Sequence, residues 1–207
     1  MLKYIKHFIE QSWLLIVSSF VFGLLLAAAN AAWMPKIQQN KIDKLNRLMS
    51  GLLSGAEEYN LVVPQLDVNL PKGKKAKSDV YEALSADGKC IGWAFVAEGS
   101  GFADKIELVI AVDDNFEKLA GFDVLSSNET PGFGDQIKLD YYRNQFKSAP
   151  AMKLELLKTG DTQKVDSEII AITGATVSSQ AVVDILNNNV EQIRNQLLAK
   201  GLIGNGK

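Results

Sequence analysis

The sequence predicts an α+β fold: a twisted, mostly antiparallel sheet with packed helices, preceded by a single N-terminal transmembrane helix. Three observations carry this. Residues 13–33 hold no charged side chain. Between residues 81 and 125, short apolar runs alternate with Asp-Gly and Asp-Asp-Asn turns. Near the C-terminus, Val182, Ile185, Leu186, Val190, Ile193 and Leu197 recur at helical spacing.

The first stretch, at about 1.5 Å per residue, covers roughly the 30 Å of a bilayer core. Trp13 and Trp33 stand at its ends, where interfacial aromatics belong. A retained anchor is expected. A cleaved signal peptide is the alternative, since residues 27–32 offer small-residue cleavage sites. The apolar run exceeds the signal core of about 7–15 residues. Lys3 and Lys6 precede it, and Lys36, Lys41, Lys44 and Arg47 follow it. Counting these charges does not favour a cytoplasmic N-terminus.

Residues 37–54 predict a helix with Leu45, Leu48, Met49, Leu52 and Leu53 as its stripe and Gly55 as its stop. It packs on its own domain or serves as a stalk against a partner. Residues 59–78 read as irregular, with Pro64, Pro71 and Gly73. The run Lys72, Lys74, Lys75 and Lys77 reads as a solvated loop. Residues 81–84 and 90–97 flank Asp87-Gly88 and predict a hairpin. Residues 107–112 and 118–125 flank a second turn. There Leu108, Ile110 and Val112 alternate with shorter or polar residues, as on a sheet with one face well buried. Residues 139–146 suit a helix and 164–170 a strand. In the last helix, Ser178 or Ser179 suits the N-cap and Gly201 the stop. The expected partition is 1–35 membrane anchor, 36–78 helix and irregular linker, and 79–207 main domain.

Composition excludes several classes. The chain has 207 residues and a net charge of −2, which argues against a nucleic-acid surface. Cys90 is the only cysteine, so no intramolecular disulfide, iron–sulfur cluster or cysteine-based zinc site forms within the chain. His7 is the only histidine and precedes the apolar segment, which excludes a Ser-His-Asp triad in the main domain. Redox chemistry here requires a bound organic cofactor or a partner.

Thr173-Gly174-Ala175-Thr176-Val177-Ser178-Ser179 is the most informative stretch. Hydroxyls and free backbone N–H groups at a helix N-terminus suit an anion, usually phosphate. An ordinary capped helix is the alternative. The stretch resembles the S/T-G-A-T-x-T/S signature of the FMN-binding domain. That domain occurs in the G subunit of the Rnf electron-transport complex and the C subunit of the sodium-pumping NADH:quinone reductase. Glu129-Thr130-Pro131-Gly132-Phe133-Gly134 resembles the family's E-T-P-G-L-G loop, with Phe133 at the Leu position. Val80-Tyr81-Glu82-Ala83, Asp87-Gly88-Lys89 and Gly92-Trp93-Ala94-Phe95 resemble its first hairpin, and Gly99-Ser100-Gly101-Phe102 its glycine turn. Order and spacing fit over roughly residues 78–200.

The resemblance implies FMN attached through its phosphate to Thr176 by a flavin transferase. The phosphate would lie near Val177 and the following N–H groups. Thr173, Gly174 and Ala175 would complete the tetrad, and Ser178 and Ser179 would either donate to phosphate oxygens or cap the helix. The loop with Glu129, Thr130, Gly132 and Phe133 would lie against the isoalloxazine ring. Glu129 is either a proton donor to the flavin or a turn-stabilising carboxylate. Gly99 and Gly101 serve the strand turn. The transferase pattern usually has Asp three residues before the tetrad; here that position is Ile170, with Asp166 and Glu168 out of register.

The implied protein is a single-pass subunit of the cell (inner) membrane with an extracytoplasmic, periplasmic main domain. It passes electrons between other subunits of an ion-translocating redox complex and has no catalytic residue or metal of its own. A non-redox anchored phosphate-binding module, and an assembly subunit with a vestigial flavin, are the alternatives.

Overall fold

The computed structural model describes residues 2–204; Met1 and residues 205–207, and the side chains of residues 2–6, 8, 9 and 72, lie outside the described residues. Two compact units are present, Met1–Asp43 and Lys44–Lys207.

The first unit is helical. Helix α1 (Leu2–Leu52) contains the apolar segment and, with Pro35 inside it, runs on into the stretch expected as a separate helix. Among the described residues it is the one helix long and apolar enough to cross a membrane. Leu14, Phe20, Phe22 and Leu26 are exposed. The hydroxyls of Ser18 and Ser19 donate back to the Leu15 carbonyl, so neither needs a partner outside the helix.

The second unit is built on a five-stranded antiparallel sheet in the order β1-β2-β3-β4-β5. Its strands are β1 (Glu58–Asn69), β2 (Lys75–Leu84), β3 (Cys90–Ser100), β4 (Lys105–Asp113) and β5 (Leu119–Ser127). The β2–β3 hairpin closes at Asp87-Gly88, where the Gly88 N–H donates to Ser85 O. Short helix α2 (Asp140–Arg143), the parallel pair β6 (Glu155–Leu157) and β7 (Glu168–Ile170), and helix α3 (Thr176–Ala199) complete it.

Both faces of the sheet are covered, not one. Ile106, Leu108, Ile110 and Val112 of β4 enter the main core with Val182, Leu186, Val190 and Ile193 of α3. Val109 and Ala111 point to a second core formed with Leu45, Met49 and Leu53. The Leu45 stripe therefore packs on its own domain. Tyr59 donates to the Met49 carbonyl at 3.0 Å, and Lys44 Nζ to Leu125 O at 2.6 Å. The cover on this face comes from a segment that precedes the whole sheet, beyond the reach of local pattern.

Residues 59–78, expected to be irregular, form β1 and the start of β2. Pro64 sits where the β1–β2 register shifts between Val63 and Leu66, and Gln65 takes φ 53°. An edge strand tolerates such a break. The edge is covered by amides one helical repeat apart on α3. Gln196 donates to Asp67 O at 2.8 Å, and Asn188 and Gln192 both donate to Asn69 O at 2.9 Å. These side chains stand in for a sixth strand.

Helix α3 starts at Thr176, earlier than a Ser178 or Ser179 cap requires, and Ala175 occupies the N-cap without a side-chain bond. Its end matches expectation. Gly201, at φ 69°, donates to Leu198 O and Leu202 donates to Leu197 O, the Schellman pattern.

Burial pushes the Cys90 thiol up to about 11. At pH 8 its thiolate fraction is then about a hundredfold below that of an ordinary thiol, and thiolate is the reactive form. Iodoacetamide should modify Cys90 correspondingly slowly in the folded chain and rapidly in urea. Equal rates in the two states would contradict this burial.

Candidate functional site

Two tight turns meet beside the N-terminus of α3. In the first, Phe133 N–H donates to Thr130 O at 3.2 Å, with Pro131 next and Gly132 at φ 77°. Pro then Gly with positive φ are the residues a type II turn takes at its centre. In the second, Ala175 N–H donates to Ile172 O at 2.9 Å, with Gly174 at φ 81°. A side chain at Gly174 would stand 3.7 Å from the Phe133 ring, so the turns abut. The first turn is braced from behind. Gln136 Nε2 donates to Gly132 O at 2.7 Å, and the Tyr141 hydroxyl to Gln136 Oε1 at 2.6 Å.

The start of α3 is fixed by inward-facing serines. Ser179 Oγ donates to Ala175 O and accepts from Ile172 N–H, both at 3.0 Å, locking the second turn onto the helix. Tyr142 is fully buried and donates to Ser179 O at 3.0 Å. Burial raises its hydroxyl far above the usual tyrosine range, so it remains a protonated donor. Its ring packs edge-on with Phe122 and Phe146, at centroid distances of 6.3 and 5.3 Å.

Ser178 faces Glu129. Its hydroxyl donates to Glu129 Oε2, while Oε1 accepts from Ala103 N–H at 3.0 Å. The carboxylate is only 4% exposed. Two glycines make room for it. A side chain at Gly134 would sit 2.7 Å from Oε2 and 2.6 Å from Ser178 Oγ, and one at Gly101 would collide with Oε1. Gly99 serves packing instead, since a side chain there would meet Ile185 of α3 at 2.5 Å.

Around this knot lies an open cavity of about 460 Å³. Thr130, Phe133, Gly134 and Glu129 line it from the first turn, and Gly174, Ala175, Thr176, Val177 and Ser178 from the second. Phe102, from the β3–β4 turn, completes the wall. Phe102, Phe133 and Val177 are each more than half exposed, and Thr130 and Thr176 are exposed too. Thr173 is exposed but does not line the cavity, nor does Gly132; Ser179 lies buried beneath it. Neither serine caps the helix. Both hydroxyls are already engaged by protein acceptors.

Phe102 was visible in the sequence as part of a glycine turn but not as a wall. An aromatic at the tip of a turn, where no core requires it, is the signal that marks it. Ile170 sits in β7, its N–H and carbonyl both bonded to the Gln145 side chain, and its side chain packs against Gly160.

Among the described residues, no lysine, arginine or histidine lines the cavity. Beside it, hydrogen bonds from Asn128 and the Lys105 N–H hold Asp104 below the usual carboxylate range. Glu107 and then Glu98 hold Lys105 protonated. At the start of α3 the first backbone bond is from Ser179 N–H, so the N–H groups of Thr176, Val177 and Ser178 have no intrahelical acceptor. Apolar walls, an exposed hydroxyl and free N–H groups, in a volume typical of ligand sites, fit a flat ring bearing a phosphate. The residues present therefore fit FMN.

The FMN-binding domain family matches residues 101–191. The G subunit of the proton-translocating ferredoxin:NAD(+) oxidoreductase complex of Clostridium ljungdahlii is 33% identical over 179 residues, covering 86% of this chain and 88% of that one. The G subunit of the ion-translocating oxidoreductase complex of Methanosarcina acetivorans is 26% identical, over 88% and 92%. Among solved structures, the C subunit of the Na(+)-translocating NADH-quinone reductase from Parabacteroides distasonis superposes with a TM-score of 0.53 at 18% identity, over 75% of this chain and 94% of that one. NqrC of Shewanella oneidensis gives 0.52 at 22%, over 67% and 72%. The two structures share the fold. The shared sequence across nearly the whole chain places the protein, with its FMN-binding domain, in the family of the G subunits of the ion-translocating (Rnf) oxidoreductase complexes.

Proposed function

We propose that this chain is the membrane-anchored electron-transfer subunit of an ion-translocating oxidoreductase complex, with FMN linked through its phosphate to Thr176 Oγ. One observation carries the choice of residue. Among the hydroxyl residues of its motif, Thr176 alone is both exposed and in the cavity wall. Ser178 and Ser179 are buried and bonded to protein acceptors, and Thr173 lies outside the wall.

The electrostatics favour a covalent link over affinity. A free phosphate dianion is held best by arginine or lysine, and among the described residues the wall has neither. An ester at Thr176 removes that requirement and leaves one negative charge beside the free N–H groups of α3. Among the described residues no base is hydrogen-bonded to the Thr176 hydroxyl, and Glu129 is already engaged by Ser178 and Ala103, so a separate flavin transferase is the reasonable catalyst. In that reaction the Thr176 oxygen bonds to the FMN phosphorus of FAD. The pyrophosphate bond breaks, AMP leaves, and the hydroxyl proton passes to the transferase. Gly174 and Ala175 leave the approach to Thr176 unobstructed.

The attached flavin supplies one- and two-electron redox chemistry. The protein's own task is placement: Phe102, Phe133 and Val177 provide apolar surface, and Thr130 a hydroxyl. Such an open site suits exchange of electrons with other subunits of the complex. A module binding phosphate alone would leave three exposed apolar side chains around the cavity without a purpose. The family resemblance assigns the domain to the extracytoplasmic side; flanking charge does not oppose this, because a long domain behind an anchor translocates largely regardless of it.

Made with a flavin transferase in an exporting host, the chain should show flavin fluorescence that survives denaturing electrophoresis. Thr176→Ala should abolish it, whereas Thr173→Ala should retain it. Fluorescence unchanged in Thr176→Ala would refute the assignment. For topology, a reporter fused to the C-terminus should be active only outside the cytoplasm, with the chain retained in carbonate-washed membranes. Activity of a cytoplasmic reporter at that position would reverse the orientation.

A further inference from the structure

We propose that Glu129 is the positioning residue of the flavin site: it braces the β3–β4 turn against α3, and so holds Phe102 as a wall for the flavin ring. This rests on the flavin reading above and adds to it a residue, Phe102, and the means that places it.

The three segments that Glu129 joins are the three that form the cavity. It belongs to the loop that presents Thr130 and Phe133. One of its carboxylate oxygens takes the hydroxyl of Ser178, in the first turn of α3 beside Thr176. The other takes the N–H of Ala103, the neighbour of Phe102. The turn carrying Phe102 leaves the β3–β4 ladder at Ser100 and Lys105, and its own hydrogen bonds beyond that point are local or exposed. Gly101 N–H donates to Asp104 O at 2.8 Å, and Asn128 donates to Asp104 Oδ2 in an exposed bond. Water competes fully for an exposed bond; it competes less for the part-buried bond from Ala103, whose acceptor Glu129 is only 4% exposed.

Phe102 is 68% exposed. A phenylalanine at that exposure on a turn tip gains little from its own chain. Its place in the cavity wall gives it a partner of matching chemistry, a flat aromatic ring. Glycines at 101 and 134 keep the carboxylate's position clear, so the brace is built from both sides.

The test uses the full chain in detergent, with and without flavin loading. It compares Glu129→Ala, Glu129→Gln and Phe102→Ala with the parent by two readouts. One is hydrogen exchange at the Ala103 amide of the flavin-free chain. The other is the emission of the attached flavin and its quenching by iodide. Loss of a hydrogen bond to a charged group should speed Ala103 exchange in Glu129→Ala by about tenfold or more. Flavin emission and iodide access should rise in the same variant. Glu129→Gln keeps an acceptor for Ala103 and a donor for Ser178, so it should restore most of both. Phe102→Ala should reproduce the flavin change while leaving Ala103 exchange near the parent value.

If Glu129→Ala frees the amide but the flavin signals stay parental, the brace is structural only and the proposal is wrong. Parental flavin signals in Phe102→Ala overturn it equally, and that variant carries the test if Glu129→Ala does not fold. A parent chain that gains no flavin mass overturns the proposed function itself. A flavin-bearing chain whose emission ignores both residues overturns this proposal alone.

Discussion

The site depends on one buried carboxylate. A carboxylate removed from water costs free energy unless hydrogen-bond donors replace the lost water. For Glu129 the chain supplies the Ser178 hydroxyl and the Ala103 N–H, and it omits side chains at Gly101 and Gly134 so that both can approach. Two loops and the first turn of α3 are thereby fixed to one another. The same arrangement decides which hydroxyl is free. Turning Ser178 toward Glu129 and Ser179 toward Ile172 and Ala175 leaves Thr176 facing outward at the first turn of α3.

The rest of the domain serves to hold that helix end still. Behind it, Tyr142 donates to Ser179 O from within the Phe122 and Phe146 cluster. Along its length, apolar residues from Val182 to Leu197 join the sheet core, and Asn188, Gln192 and Gln196 tie it to the edge of β1. On the other sheet face, Leu45, Met49 and Leu53 complete a second core.

What the sequence revealed follows the range of the forces involved. The Asp87-Gly88 hairpin and the Gly201 stop were legible because turn and cap chemistry are local. The two site motifs were legible together, as a family resemblance, and the structure brings most of their residues into one cavity. The N-cap expectation for Ser178 or Ser179 failed because their partners are tertiary; Glu129 lies 49 positions from Ser178. Strand β1 was missed because Pro64 breaks its pattern where the register shifts, and its edge is satisfied by helix amides over a hundred positions away. Phe102 was read as turn residue because nothing local shows that Ala103 is held by a distant carboxylate.

The most direct measurement is peptide mass spectrometry of the native protein isolated from its own membrane, with fragmentation to locate any adduct. The peptide containing Thr173 to Ser179 should carry one FMN less one water, with the fragment series breaking at Thr176. The same mass on Ser178 or Thr173, or an unmodified peptide from a preparation that retains flavin, would contradict it.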